Sequence, residues 1–252
     1  MKKEEQMLCS HLSDLANACW QRDYAVISDF LTLNEQSLFL SHCVGSLPPV
    51  SWSLEGGYDT AERKAVYFQP IGAGDQIPAP LVLLRAEPLN KKFAGDLTHR
   101  DYLGALMNLG IEREKIGDLI LQDGGCLMIC RDLAADIICS DLVRVGRTAV
   151  QCRRIAFTEV SCQPETKPIS GTVASLRLDA VIGLAFSGSR SRLVSYIESE
   201  KVFVNGKCIT SNAYQLKEGD LVSVRGLGKF RFVSGGGLTK KGRTSVSLEL
   251  FI

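Results

Sequence analysis

No run of roughly eighteen apolar residues occurs in this chain, which excludes a membrane-spanning helix of ordinary length. Histidine is scarce: His11, His42 and His99 are the whole set, and none stands at a recognisable catalytic spacing from a cysteine or carboxylate. Nine cysteines are present but scattered. Cys126 and Cys130 lie four apart in CLMIC, which fits a half-buried strand, and no pair has the two-residue gap of a zinc ribbon. Buried thiols in a reducing cytosol are therefore expected, with no bound metal. Dinucleotide fingerprints, nucleophile elbows and zinc-protease motifs are all missing. The glycine-rich SGGGLTKKGRTS is read as a loop and lacks the Gly-Lys-Ser/Thr ending of a Walker phosphate loop. His99-Arg100-Asp101 opens a helix without the Asn and Asp-Phe-Gly partners of a kinase loop, so capping is its expected role. These absences point away from an enzyme and from any cofactor.

What is present is a globular composition. Apolar residues make up 45% and charged residues 23% of 252 positions, enough for about two or three domains. The start, MKKEEQMLCSHLSDL, places glutamates directly after two lysines, with no apolar signal core, so a cytoplasmic location is expected. Charge is unevenly distributed. The chain carries 29 Lys and Arg against 28 Asp and Glu, yet residues 176–252 hold twelve against six. One basic end on a near-neutral protein suggests a surface that meets a polyanion.

The expected fold class is α+β, in three parts. Residues 1–80 read as a small α+β unit. Met7, Leu8, Leu12, Leu15, Ala16 and Cys19 share one helical face over 1–22, a second helix starts near Asn34 as N-cap, and VSWSL and AVYFQP are strand-like. Residues 81–162 begin with the strand LVLLRAEP. A helix follows, opened by Thr98 and Asp101 in a capping-box pattern and closed by Gly110. A short helical piece is expected over 111–117. The hairpin LILQ–DGG–CLMIC, the helix LAADIICSDL and the strand TAVQCRRI complete a ferredoxin-like (RRM-like) α/β sandwich. Such sheets sometimes bind RNA through exposed aromatics, but these strands carry Leu, Ile, Cys and Met, so a scaffold or protein-contact role is as well supported. Residues 163–175, QPETKPISGTVAS, are read as a connector in which a short strand could form.

Residues 176–252 form the third part. Leu178, Val181, Ile182 and Ala185 mark the inward face of one helix, and Leu193, Val194 and Ile197 that of a second. Ser189 is the natural N-cap of the second helix, and Arg190, Ser191 and Arg192 fill its first turn. Helix starts favour acids, because their unpaired N–H groups and the macrodipole are positive. Two arginines there suit a phosphate, held by N–H groups, hydroxyls and guanidinium groups together. Pairing with Asp179 or Glu198 is the alternative for these arginines. Lys201 and Lys207 bracket a hairpin whose turn, Asn205-Gly206, has the type I′ signature, and can reach a second phosphate row. Arg177, Asn205, Arg225 and Lys229 complete the candidate RNA-binding set, with Lys240, Lys241 and Arg243 as an extension.

RLD, SRSRLVSYI, VFVNGK and LKEGDLVSVRGLGKF resemble the alpha-L RNA-binding motif of small-subunit ribosomal protein S-four and its relatives, with Glu200 standing where such modules usually have glycine. HRDYLGALMNLGIEREKIGDL, followed by that module, is similar to the bacterial YlmH proteins. The resemblance implies a protein that binds ribosomal RNA and tRNA and associates with stalled large ribosomal subunits during tailing of trapped nascent chains; a monomer without catalytic activity is expected. Some members are encoded near cell-division genes, so a division adaptor is one alternative. The other is an RNA-modifying enzyme such as a pseudouridine synthase. In those the module precedes a catalytic domain with aspartate in a Gly-Arg-Leu-Asp setting; here the module comes last, and Asp179 lies within its own first helix.

Overall fold

A computed structural model describes residues 3–72, 78–90, 97–159, 166–239 and 242–251, with the side chains of Arg190 and Leu238 outside the description. The chain divides into two compact units, Met1–Gln163 and Pro164–Ile252.

The first unit opens with α1 (Lys3–Arg22), which buries Leu12, Ala16 and Cys19. A three-stranded antiparallel sheet follows, from β1 (Val26–Leu31), β2 (Val50–Glu55) and β3 (Lys64–Pro70), in the order β1-β3-β2. Strand β1 carries VISDFL, a run the sequence pattern left unassigned. The helix expected from Asn34, α2 (Leu33–Leu38), is capped two residues earlier. Thr32 donates its N–H to Glu35 Oε2 at 2.7 Å and accepts from the Glu35 N–H, a full capping box. A π-helical turn, Phe39–Cys43, continues it.

The ferredoxin-like part is built from β4 (Leu81–Pro88), α3 (His99–Asn108), β5 (Ile116–Gln122), β6 (Gly125–Arg131), α4 (Asp132–Asp141), β7 (Arg144–Val145) and β8 (Thr148–Ile155). The order β5-β6-β4-β8-β7 puts β4 and β6 at the centre, as in RRM-like sheets, with β7 added at one edge. The 111–117 segment holds only a 3₁₀ turn, Arg113–Lys115, because its C-terminal half joins β5. Thr98 and Asp101 close the expected capping box of α3, and Asp123 and Gly124 both adopt positive φ in the hairpin turn. Tyr102, Leu106, Ala135 and Ile138 from the helices cover one sheet face, on Leu84, Ala86, Met128 and Cys130.

Alternation sends Leu83, Leu127, Ile129 and Ile155 to the opposite face, where they pack with Ile27, Phe30, Ala65 and Tyr67 of β1 and β3. Polar contacts reinforce this seam. Asp118 on β5 accepts from Tyr58 Oη (2.7 Å) and from the N–H groups of Glu62 (2.7 Å) and Arg63 (3.1 Å). Asp29 on β1 accepts from Lys115 (2.8 Å) and Arg131 (3.2 Å). The expected boundary between residues 80 and 81 thus falls inside a single unit, because the two sheets share a core.

The second unit comprises β9 (Thr166–Val173), α5 (Leu178–Phe186), α6 (Arg190–Glu198), β10 (Val202–Val204), β11 (Lys207–Cys208), β12 (Leu221–Val224), β13 (Gly228–Leu238) and β14 (Thr244–Phe251). These strands form one antiparallel sheet, β11-β10-β12-β13-β14-β9. The segment expected as a connector is its edge strand: β9 pairs with β14 from Thr166↔Phe251 to Val173↔Thr244. Pro168 is tolerated at an edge, and Ile169 and Val173 supply the inward contacts that hold the strand. The expected glycine-rich loop is likewise strand, since Gly235–Gly237 lie within β13. A Cβ on Gly235 would stand 2.9 Å from Leu176 Cδ1, so glycine lets the strand pass that side chain. Leu178, Val181, Ile182, Leu193 and Ile197 of the helices bury the inner face against Val202, Val204, Val222, Val224, Phe230, Phe232 and Leu248.

Candidate nucleic-acid interface

Ser187, left-handed at φ 47°, ends α5, and Ser189 in extended conformation opens α6. The Ser189 side chain makes no capping hydrogen bond, and the first turn contains no acid. Ser191 and Arg192 are exposed, and Arg192 forms no ion pair among the described residues. The helix therefore presents its N–H dipoles, two serine hydroxyls and a guanidinium group to solvent with no internal anion. Arg190 begins this turn, but its side chain lies outside the description.

The other expected residues separate into several roles. Arg177 donates from Nε to Asp179 Oδ1 (3.0 Å) and from Nη2 to Oδ2 (3.2 Å). Asp179 is only 2% exposed. A buried carboxylate needs its counter-charge, so Arg177 is engaged within the protein by this pair. Asn205 is engaged as well. Its amide donates to Asp220 Oδ1 (2.8 Å) and its carbonyl accepts from the Leu221 N–H (3.0 Å), locking a turn in which Asn205 and Gly206 both have positive φ. Arg243 donates to Thr172 Oγ1 (3.0 Å) and Thr172 O (2.5 Å), stapling β14 to β9. Arg177 and Arg243 both line a cleft of about 520 Å³ beside α5, each already engaged there. Lys240 and Lys241 lie outside the described residues.

Lys201, Lys207 and Arg225 are exposed, and Lys229 is half-buried. Lys201 Nζ stands 5.5 Å from the centroid of the half-buried Tyr196 ring. Lys229 belongs to the face of the sheet opposite the helices, because its neighbour Phe230 points into the core. Its Nζ lies 4.8 Å from the Phe251 ring centroid, and Arg225 Cζ lies 4.6 Å from that of Phe203. Ser189, Ser191 and Arg192 thus lie at the helix start and Lys229 on the outer sheet face, whereas Lys207 pairs with Val204, a core residue of the inner face. Phe203, Phe251 and Arg231 on the outer face were missed. The alternation Val-Phe-Val gave the strand, but not that the helices would leave this face uncovered. Glu200 follows the C-cap of α6 at φ 58°, which explains why glycine is usual there.

Comparison with known proteins matches this layout. The S4 domain model aligns with residues 176–222, and the model described as "Putative RNA-binding domain in YlmH" aligns with residues 84–159. "Ribosome-associated protein quality control protein P2" of Bacillus subtilis (strain 168) is 32% identical over 225 residues, covering 88% of this chain and 86% of that protein. The chain belongs to the YlmH family. A solved structure, "Cell division protein ylmH from Streptococcus pneumoniae", shares the fold with a TM-score of 0.51 at 15% identity, over 63% of this chain and 95% of that one. In this YlmH chain the 84–159 region is the ferredoxin-like sheet. The centre of the face that an RRM opens to RNA is buried here under β1 and β3.

Proposed function

We propose that this chain is a non-catalytic RNA-binding protein whose S4 unit seats the phosphates of structured ribosomal RNA or tRNA at the start of α6. It acts as a monomer on the large ribosomal subunit, in quality control of stalled nascent chains. The observation that carries this reading is the exposed, acid-free first turn of α6, with Ser189, Ser191 and Arg192 in an S4 unit of net positive charge. The name of the Bacillus subtilis relative supports the ribosomal and quality-control setting. The burial of Asp179 against Arg177 speaks against that residue as a synthase nucleophile.

Affinity for a folded RNA should fall steeply with salt, since phosphate contacts release condensed counterions. Replacing Arg190 and Arg192 together with Ala should weaken binding and lower the log–log salt slope by up to about 2, one per lost phosphate contact. Unchanged binding by the folded double variant rules the helix-start site out. RNA crosslinked in a low-salt lysate and sequenced should be ribosomal RNA and tRNA. Recovery of a division protein without RNA favours the adaptor, and pseudouridine in RNA incubated with the pure protein revives the enzyme.

A further inference from the structure

We infer that the outer face of the six-stranded sheet is a second RNA surface, one that takes unpaired nucleotides. Register places Phe203 opposite Ser223, and Ser223 opposite Lys229, on consecutive strands. Lys229 then meets Phe251 on the next strand. The following row sets Arg231 opposite Glu249. All of these alternate with core residues, so their side chains point away from α5 and α6.

An uncovered sheet face is ordinarily polar, yet this one carries two half-buried phenyl rings. Each ring has a cation over it, Arg225 on Phe203 and Lys229 on Phe251. Roofing by a cation can simply shield a ring from water. That account leaves unexplained why Arg225, Lys229 and Arg231 gather on one face beside the two rings, where Glu249 is the acid that the register sets opposite Arg231. Aromatic platforms interleaved with basic groups on a sheet are what unpaired RNA requires. Bases stack on rings or on guanidinium planes, and the phosphates between them meet the cations. The two platforms stand roughly 14 Å apart, three interstrand steps, so a segment of several nucleotides bridges them. A protein partner would more often find a larger apolar patch and fewer like charges.

The inference rests on the RNA-binding reading and adds a second surface to it. The test measures fluorescence anisotropy of the full chain with two labelled probes, an oligouridine of about ten nucleotides and a blunt RNA hairpin, with folding checked by circular dichroism. Phe203→Leu combined with Phe251→Leu keeps apolar volume and removes both ring faces. It should weaken oligouridine binding at least about tenfold, with hairpin affinity kept within about twofold. Tyrosine at both positions should restore oligouridine binding. Lys229→Gln with Arg231→Gln leaves the rings in place and should lower the oligouridine salt slope by about 1.4, two phosphates at about 0.7 each. Arg192→Ala should act on the hairpin alone. Oligouridine affinity that survives both double variants overturns the inference. So does a wild-type chain that binds the hairpin but not oligouridine, in which case the helix-start site stands. Failure to bind either probe removes the RNA reading and this surface together.

Discussion

Glu200 holds a left-handed backbone conformation that disfavours any residue with a Cβ, by about 1 kcal/mol. Its N–H closes the end of α6 on Ile197 O at 3.2 Å, so the turn cannot relax without losing that bond. Glu200→Gly should raise stability by up to about 0.5 kcal/mol in urea unfolding, the rest of the gain being offset by glycine's unfolded-state freedom. It should also strengthen RNA binding slightly at low salt. A lower urea midpoint would refute the strain. The odd residue was legible in the sequence, and so was the Asn205-Gly206 turn. The work of the Asn205 amide was not, because Asp220 and Leu221 are brought to it only by the pairing of β10 with β12. The pairing of Arg177 was hidden for a related reason, since burial of Asp179 is a property of the assembled unit. Burial also pushes the Cys126 and Cys130 thiols up to about 12. Unfolded thiols lose their protons near pH 8.5, so the unfolded state binds fewer protons above that pH and stability falls as pH rises toward 12. Alkylation of native protein at pH 8, read by mass spectrometry, should mark exposed Cys208 first and leave Cys126 and Cys130 unmodified.

Strands and helices with strong local signals were legible as elements: the Thr98–Asp101 capping box lies in the sequence, as does the Asp123-Gly124 turn. Strand β1 was not, and β9 was legible only as a short strand within a connector. Strand β1 is six residues with Asp29 in its midst, and β9 contains Pro168 and Gly171, residues that read as a linker. Both are held by partners far along the chain, β3 and β14, which no local pattern reveals. The seam between the two sheets of the first unit is a similar case. Asp118 lies on β5 and accepts three hydrogen bonds from the 58–63 segment. Asp118→Ala would leave two backbone N–H groups and a phenol without their acceptor. The expected cost is about 2–4 kcal/mol in denaturant unfolding. A cost below about 0.5 kcal/mol would mean that the apolar contacts of Ile27, Phe30 and Tyr67 hold the sheets together unaided.

At the scale of the whole molecule, the arrangement of cores decides which pieces of the chain can stand alone. Composition suggested three bodies, whereas packing yields two, because the face left open by the ferredoxin-like helices is filled by the N-terminal sheet. The choice follows from residue chemistry. Leu83, Leu127, Ile129 and Ile155 would form an exposed apolar patch on an isolated 81–163 piece, and Ile27, Phe30, Ala65 and Tyr67 would do the same on 1–80. Residues 164–252 build a core of their own from both helices and the inward strand residues. Three fragments separate these possibilities. Fragment 164–252 should melt cooperatively and keep hairpin-RNA binding, provided that β9 is included. A version starting at residue 176 should lose stability, because removing β9 leaves the backbone edge of β14 unpaired and takes Ile169 and Val173 out of the core. Fragments 1–80 and 81–163 should each aggregate or bind a hydrophobic dye, and should regain a cooperative melt when refolded together. A separate, well-folded 81–163 fragment would show that its sheet face tolerates water, and would reopen that face as a place for RNA.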